Sequence, residues 1–376
     1  MITESPTGIP ARRRLRLTRA GRAGSIALLA LVCGCQSAGE GIGYYWQSIA
    51  GHWELLRRAT PTPGLIGDPA TDPQLRARLE VAQRIRRFAV DQIALPDNGS
   101  YRRYAALDRP FVLWNVMAAP ALSLELERWC FPVAGCVGYR GYYREAEARA
   151  FAEGLAKQGL DVQVAGVPAY STLGWFDDPL LSTFIRYPDA ELARLLFHEL
   201  AHQVVYAKGD TTFNESYATA VERLGVARWL EQYGDDTART AWAAWQQRRA
   251  DFLALLGRHR DRLRALYDGD LPDDGKRAAK AQQIERLRAD YREMRDTRWK
   301  GYSGYDRWFA QPLGNAHLGA VASYSRWVPA FEAMFEAEGR DFRRFHDAVG
   351  RVARLDPAER RMLLQRQSEL ATIQPN

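Results

Sequence analysis

Apolar residues recur at helical spacing through most of the chain, and a stretch near the middle carries short β-prone runs instead. The periodicity predicts an amphipathic helix over Tyr44 to Ala59. It predicts a second over Asp72 to Leu95, where Leu79, Ala82, Ile85, Phe88 and Ile93 share a face, and Pro96-Asp97-Asn98-Gly99 breaks it. Between residues 110 and 184, Phe111 to Val116, Val162 to Val164 and Thr172 to Phe176 have strand composition, separated by turn residues such as Asp161 and Gly166-Val167-Pro168. They predict a small sheet. From Pro188 onward the pattern is helical, with long charged segments from Asp236 to Tyr267 and from Lys276 to Trp299. The turn Asp268 to Gly275 between them predicts an antiparallel helical hairpin. The expected class is α+β, predominantly α-helical, with a small sheet and a long C-terminal helical region.

Of the 376 residues 47% are hydrophobic, which excludes a disordered or collagen-like chain. The formal charge of +7 would matter for a nucleic-acid partner if it were spread over the fold. It is not: Arg12, Arg13, Arg14, Arg16, Arg19 and Arg22 lie ahead of residue 35 against the single acid Glu4, and without them the charge falls to about +2. No basic and aromatic interleaving follows, so no nucleic-acid partner is expected.

That basic run precedes a short apolar stretch, Ser25 to Cys33, too short to span a bilayer. It reads as an export signal. Leu31-Val32-Cys33-Gly34-Cys35 resembles a bacterial lipobox, so residues 1–34 are expected to leave and Cys35 to be acylated, tying the protein to a lipid bilayer. Cleavage as an ordinary signal peptide is the alternative. Gln36 follows Cys35 where inner-membrane retention signals carry Asp, which by resemblance to bacterial sorting rules points to the outer membrane, facing the periplasm. With Cys33 removed and Cys35 acylated, Cys130 and Cys136 are left as a pair in an oxidising compartment. The intervening Pro132 and Gly135 let the chain turn back, which predicts a local disulfide, two buried thiols being the alternative.

The chemistry concentrates between Ala190 and Arg223. His198-Glu199-Leu200-Ala201-His202 places two imidazoles one helical turn apart on one face, so both can point to one ion, with Glu199 beside them as a general base. Asp189 and Glu191 complement the dipole at the start of this helix, which is expected to run to Lys208-Gly209. Phe213-Asn214-Glu215-Ser216 opens an adjacent helix. A turn over Gly209 to Thr212 brings Glu215 back as a third ligand, giving a two-His-one-Glu set with room for water. Tetrahedral N/O coordination suits one Zn2+ ion, although the ligand list also admits cobalt or manganese.

The pairing of this motif with a downstream Asn-Glu helix resembles the gluzincin metallopeptidases. Trp129 to Cys136, Tyr170 to Leu180, the metal helix and Asn315-Ala316-His317-Leu318 resemble more closely the predicted zinc aminopeptidase lipoproteins of Gram-negative bacteria, over nearly all of the mature chain. The resemblance implies a gluzincin-like catalytic core and a peptide substrate. The organisation it implies is a signal at 1–34, a membrane-proximal helical segment at 35–109, the metallopeptidase core at 110–234 and a helical region at 235–376. It also implies an exposed strand lining the cleft, for which Thr172, Leu173, Gly174 and Trp175 are the candidates, and a group for the oxyanion, for which Tyr324 and Tyr305 stand ahead of Tyr302 and His317. Glu222 is a candidate to orient a ligand histidine, and a solvated helix position is the other reading. His52, His259 and His346 read as surface residues. An envelope metallo-endopeptidase shares every catalytic residue, and a non-catalytic lipoprotein with a structural metal remains a third reading, which Glu199 opposes.

Overall fold

The computed structural model describes residues 38–131, 135–322 and 326–373. Cys35 and the export segment lie outside the described residues, as does Tyr324. The chain forms two compact units, residues 1–49 and 50–376. Helix α1 (Ala38–Arg58) leads into the short strand β1 (Thr60–Pro61) and helix α2 (Thr62–Gly67). Helix α3 (Pro73–Ile93) follows with the signature the sequence carries: Asp72 accepts the Leu75 N–H at 2.8 Å, Pro73 sits at the first position, and Ala94 closes the helix in a left-handed conformation.

The central strands are β2 (Arg103–Ala105), β3 (Leu113–Pro120), β4 (Trp129–Phe131), β5 (Gly135–Val137), β6 (Arg140–Tyr142), β7 (Leu160–Val167) and β8 (Leu180–Leu181), with helix α4 (Glu145–Lys157) before β7. They build three small sheets, ordered β1-β2-β8, β6-β3-β7 and β4-β5. The β3–β7 pair is antiparallel, with Leu113 opposite Val167 and Pro120 opposite Leu160. Thr172 to Phe176, expected as a strand, is a turn. The Thr172 hydroxyl accepts the Phe176 N–H at 3.2 Å and Leu173 and Gly174 take φ of 56° and 77°, so local bonding and left-handed backbone displace an extended strand.

The rest is helical: α5 (Asp189–Ala201), α6 (Thr211–Tyr233), α7 (Asp236–Asp268), α8 (Asp273–Thr297), α9 (Asp306–Phe309), α10 (Asn315–Ala322), α11 (Val328–Ala337), α12 (Phe342–Ala353) and α13 (Pro357–Ile373). The expected hairpin is α7 against α8. Its apolar seam, with Phe252, Leu256, Leu263, Ile284 and Leu287, forms a second core, while α3, α5, α6, α11 and α12 share the main one. Asn315 ties the hairpin to the end of β3: it accepts from the Tyr267 hydroxyl at 2.8 Å and donates to the carbonyls of Pro120 and Ala121 at 2.9 Å each. Gly225 lets α6 close on α5, since a Cβ there would stand 2.8 Å from the Phe197 ring and 2.7 Å from Ile93.

Candidate metal centre

Helix α5 buries Leu192, Leu195, Leu196 and Leu200, which turns the opposite stripe with His198 and Glu199 toward α6. The helix stops at Ala201, two turns short of the expected Lys208-Gly209. Its end is rewired: the Gln203 side chain is bonded by Asn98 at 2.7 Å, and Asn214 grips Ala207 through both backbone groups, donating to the carbonyl at 2.9 Å and accepting the N–H at 2.7 Å. His202 caps α5 and keeps helical dihedrals, φ −60° and ψ −20°, so the one-turn spacing of the two imidazoles survives. Asp210 opens α6 by accepting the Phe213 N–H at 3.0 Å and pairs with Arg360 at 2.7 Å. Glu215 follows in the first turns and faces α5.

Glu215 Oε2 lies 3.3 Å from His198 Nε2 and 3.8 Å from His202 Nε2, and the two imidazoles stand at 86°. An ion at about 2.0–2.2 Å from N and O ligands in tetrahedral geometry separates those ligands by about 3.4 Å. The three donors therefore fit one dication. Behind them Glu222, 2% exposed, places Oε2 3.0 Å from His198 Nδ1, and the same oxygen accepts from Arg194 at 3.0 Å. With Nε2 turned to Glu215, the Nδ1–H donates to Glu222, which fixes the tautomer and the ring plane and would present Nε2 to a bound ion. Glu222 is thus a buried partner of the ligand and not a solvated helix residue.

The charges agree with a cation at this point. Burial opposes a charge on His198, but the hydrogen bonds to Glu215 and Glu222 lift its pKa to about 10, so the protein alone places a proton where a dication fits. Burial holds His202 at about 4, leaving its lone pair free for a ligand bond. Burial raises Glu222, yet Arg194 and His198 bring it down to about 2. Glu199 is pushed up to about 7 by burial, with His198 opposing and Glu215 adding. That is a suitable range for a base at neutral pH.

The other sequence expectations divide. Thr172 to Trp175 form a turn and not a strand, and the turn packs on Gln203, the residue after His202: a Cβ on Gly174 would lie 3.8 Å from its side chain. Asp178, at the base of that turn, holds the Thr172 N–H at 3.0 Å. Tyr305 packs in the second core, stacked on Phe252 at 4.5 Å, and Tyr302 lies under Arg248 at 4.0 Å. His317 is 2% exposed and accepts the Gly314 N–H. Cys130 and Cys136 are joined across β4 and β5. The three histidines read as surface residues are structural. His259 is fully buried between Asp290 and Gln283, His346 bonds Tyr217 and the Ile93 carbonyl, and His52 is bonded by Tyr170 at 2.5 Å. Neighbouring helices bury His259 and His346, and His52 is half-buried against Tyr170 and Phe176, contacts that the charged flanking sequence concealed. Tyr101, Asp178 and Arg194 were missed. Tyr101 and Asp178 sit in loop segments with no periodicity, although Asp178 falls within the Tyr170 to Leu180 run. A cavity of about 900 Å³ bordered by Leu126, Gly209, Leu256 and Arg360 is lined by none of His198, Glu199, His202 and Glu215.

A family described as "Putative aminopeptidase" matches residues 43–364, which includes every residue of this centre. The chain belongs to this family. No curated protein and no solved structure matches it. Family membership makes the chain peptidase-like, and a peptidase acts on peptide substrates.

Proposed function

We propose that the protein is a zinc-dependent aminopeptidase in which His198, His202 and Glu215 hold one zinc ion and Glu199 is the general base. The observation that carries this is the donor spacing of 3.3 and 3.8 Å around Glu215, with Glu199 half-buried on the same helix face. The bound ion supplies Lewis-acid polarisation of the scissile carbonyl and acidifies water. Glu199 takes the proton from the attacking water and delivers it to the leaving nitrogen, while Glu222 and Arg194 keep His198 oriented throughout. A purely structural ion would not need a carboxylate base beside it. Zinc content is measured on the purified chain, followed by hydrolysis of matched peptides with free and acetylated N-termini by the wild type and Glu199→Gln. One zinc per chain with Glu199-dependent cleavage of free-amine peptides is expected. Bound zinc with cleavage unchanged in the variant overturns the reading.

The same reading places the protein in the envelope as a lipoprotein acylated at Cys35, facing the periplasm from the outer membrane. Two observations support it. Helix α1 leaves Trp46, Ile49 and Trp53 exposed at helical spacing, side chains that suit a headgroup interface. Among the described residues no helix is long and apolar enough to cross a membrane, so attachment falls to the lipid.

A further inference from the structure

Asp178 is a buried carboxylate without a counter-ion. It is 3% exposed; Oδ2 accepts the Thr172 N–H at 3.0 Å, and Oδ1 has no hydrogen-bond partner. Among the described residues no Arg, Lys or His pairs with it. The charges that act on it or feel it are negative, Asp177 and Glu199. Tyr101 adds a second unmatched group. Its side chain is 1% exposed, its hydroxyl has no hydrogen-bond partner, and Asp178 and Glu199 both act on it. A buried carboxylate oxygen and a buried phenol hydroxyl left without partners are costly, and such groups persist where a ligand completes them.

The surrounding chain is built to hold this arrangement. Tyr101 keeps a left-handed φ of 62°, rare for a residue with a Cβ. Three hydrogen bonds fix it: Gln83 donates to the Tyr101 carbonyl at 2.8 Å, Arg86 to the Ser100 carbonyl at 2.9 Å, and the Tyr101 N–H to the Asp178 carbonyl at 2.6 Å. The missing group is a small cation with several N–H donors.

We propose that Asp178, with the Tyr101 hydroxyl beside it, binds the protonated α-amino group of the substrate's first residue. The inference rests on the aminopeptidase reading and assigns it a recognition residue. An α-nitrogen and the carbonyl carbon of the same residue are about 2.5 Å apart, so an amine pocket must lie close to the general base; Asp178 and Tyr101 meet the end of the Glu199 helix through Ser100, whose hydroxyl accepts from the Asp178 N–H and from Gln203, each at 3.3 Å. Burial behind Thr172 closes the pocket to a chain that continues past the amine, which suits a terminus. Entry requires the Thr172 to Phe176 turn to lift from Gln203; Leu173 and Gly174 carry left-handed backbone there, and Trp175 and Phe176 are exposed.

The test uses the full-length chain, wild type and Asp178→Asn, which keeps the acceptor for Thr172. Zinc-loaded protein is assayed on leucine p-nitroanilide, its N-acetyl form and its des-amino analogue, and leucinamide is titrated calorimetrically into metal-free protein. The site predicts a KM for the free-amine substrate about 10- to 100-fold higher in Asp178→Asn, loss of the preference over the des-amino analogue, leucinamide binding weakened by about the same factor, and unchanged zinc content. Tyr101→Phe, which keeps the carboxylate, weakens leucinamide binding in the same direction and carries the test where Asp178→Asn does not fold. Wild type that cleaves acetylated and free substrates alike overturns the aminopeptidase reading and this site with it. Wild type confined to free amines, with a variant that keeps both that preference and its leucinamide affinity, overturns this site alone.

Discussion

Glu222 Oε2 lies 3.0 Å from His198 Nδ1, one helix away from it, and Arg194 holds the same oxygen at 3.0 Å. The proposed metal ligand is therefore oriented by a carboxylate that is itself clamped by a guanidinium, packed in turn 5.4 Å from the Trp245 ring. Glu222→Gln keeps the shape and removes the charge. Zinc affinity is expected to fall about 10- to 100-fold, the usual effect of losing such a partner, measured by competition with a chromophoric chelator. Unchanged affinity would show that Glu222 serves only to neutralise Arg194.

Glu199 has a different part from its neighbours on α5. It is beside the proposed ligands and outside their group, so Glu199→Gln is expected to retain zinc and lose most of the peptidase rate, by about 10²- to 10⁴-fold. The informative measurement is kcat with bound zinc determined on the same sample. A rate loss that tracks zinc loss would make Glu199 a structural residue of the centre.

The grouping of His198, His202 and Glu215 was legible in the sequence because its geometry is local: one helical turn separates His198 from His202, and twelve residues allow α6 to return with Glu215. The hairpin of α7 and α8 was legible for the same reason, through periodicity and a turn of Asp, Gly and Pro. What was not legible depends on contacts far apart in the chain. The end of α5 is set by Asn98 and Asn214, the turn at Thr172 by hydrogen bonds within itself, and the burial of His259 and His346 by helices that flank them only in the fold. Asp178 and Tyr101 are the extreme case. They are 77 positions apart, and their relation to Glu199 exists only once α3, the Tyr101 loop and α5 are packed.

Asn214, beside the ligand Glu215, has a structural task that the motif alone does not show. Its amide takes both backbone groups of Ala207 and closes the link between the two ligand helices. Asn214→Ala leaves those buried groups unpaired and is expected to destabilise the fold by roughly 2–3 kcal/mol. Urea unfolding of metal-free protein measures this. Zinc affinity should fall as well, because Glu215 loses the anchor next to it. A variant as stable as wild type would show that the link is held by Asp210 and Arg360 instead.

His346 gives the pH dependence its sign. Its Nε2–H donates to the Ile93 carbonyl at 2.9 Å and Nδ1 accepts from the Tyr217 hydroxyl at 2.8 Å, so the neutral ring is fully bonded. Burial lowers its pKa to about 4. In the unfolded chain the ring takes a proton near the ordinary 6.5, so the contribution of His346 is complete above that pH and is lost as pH falls toward 4. Between pH 7 and pH 5 the loss is about 2 kcal/mol for this one group. His346→Gln offers one donor and one acceptor without titrating. The drop in melting temperature of metal-free protein from pH 7 to pH 5 is therefore expected to be smaller in the variant than in the wild type. Equal drops would place the acid sensitivity of the fold elsewhere, with buried His317, whose pKa is also lowered to about 4 by burial, as the next position to change.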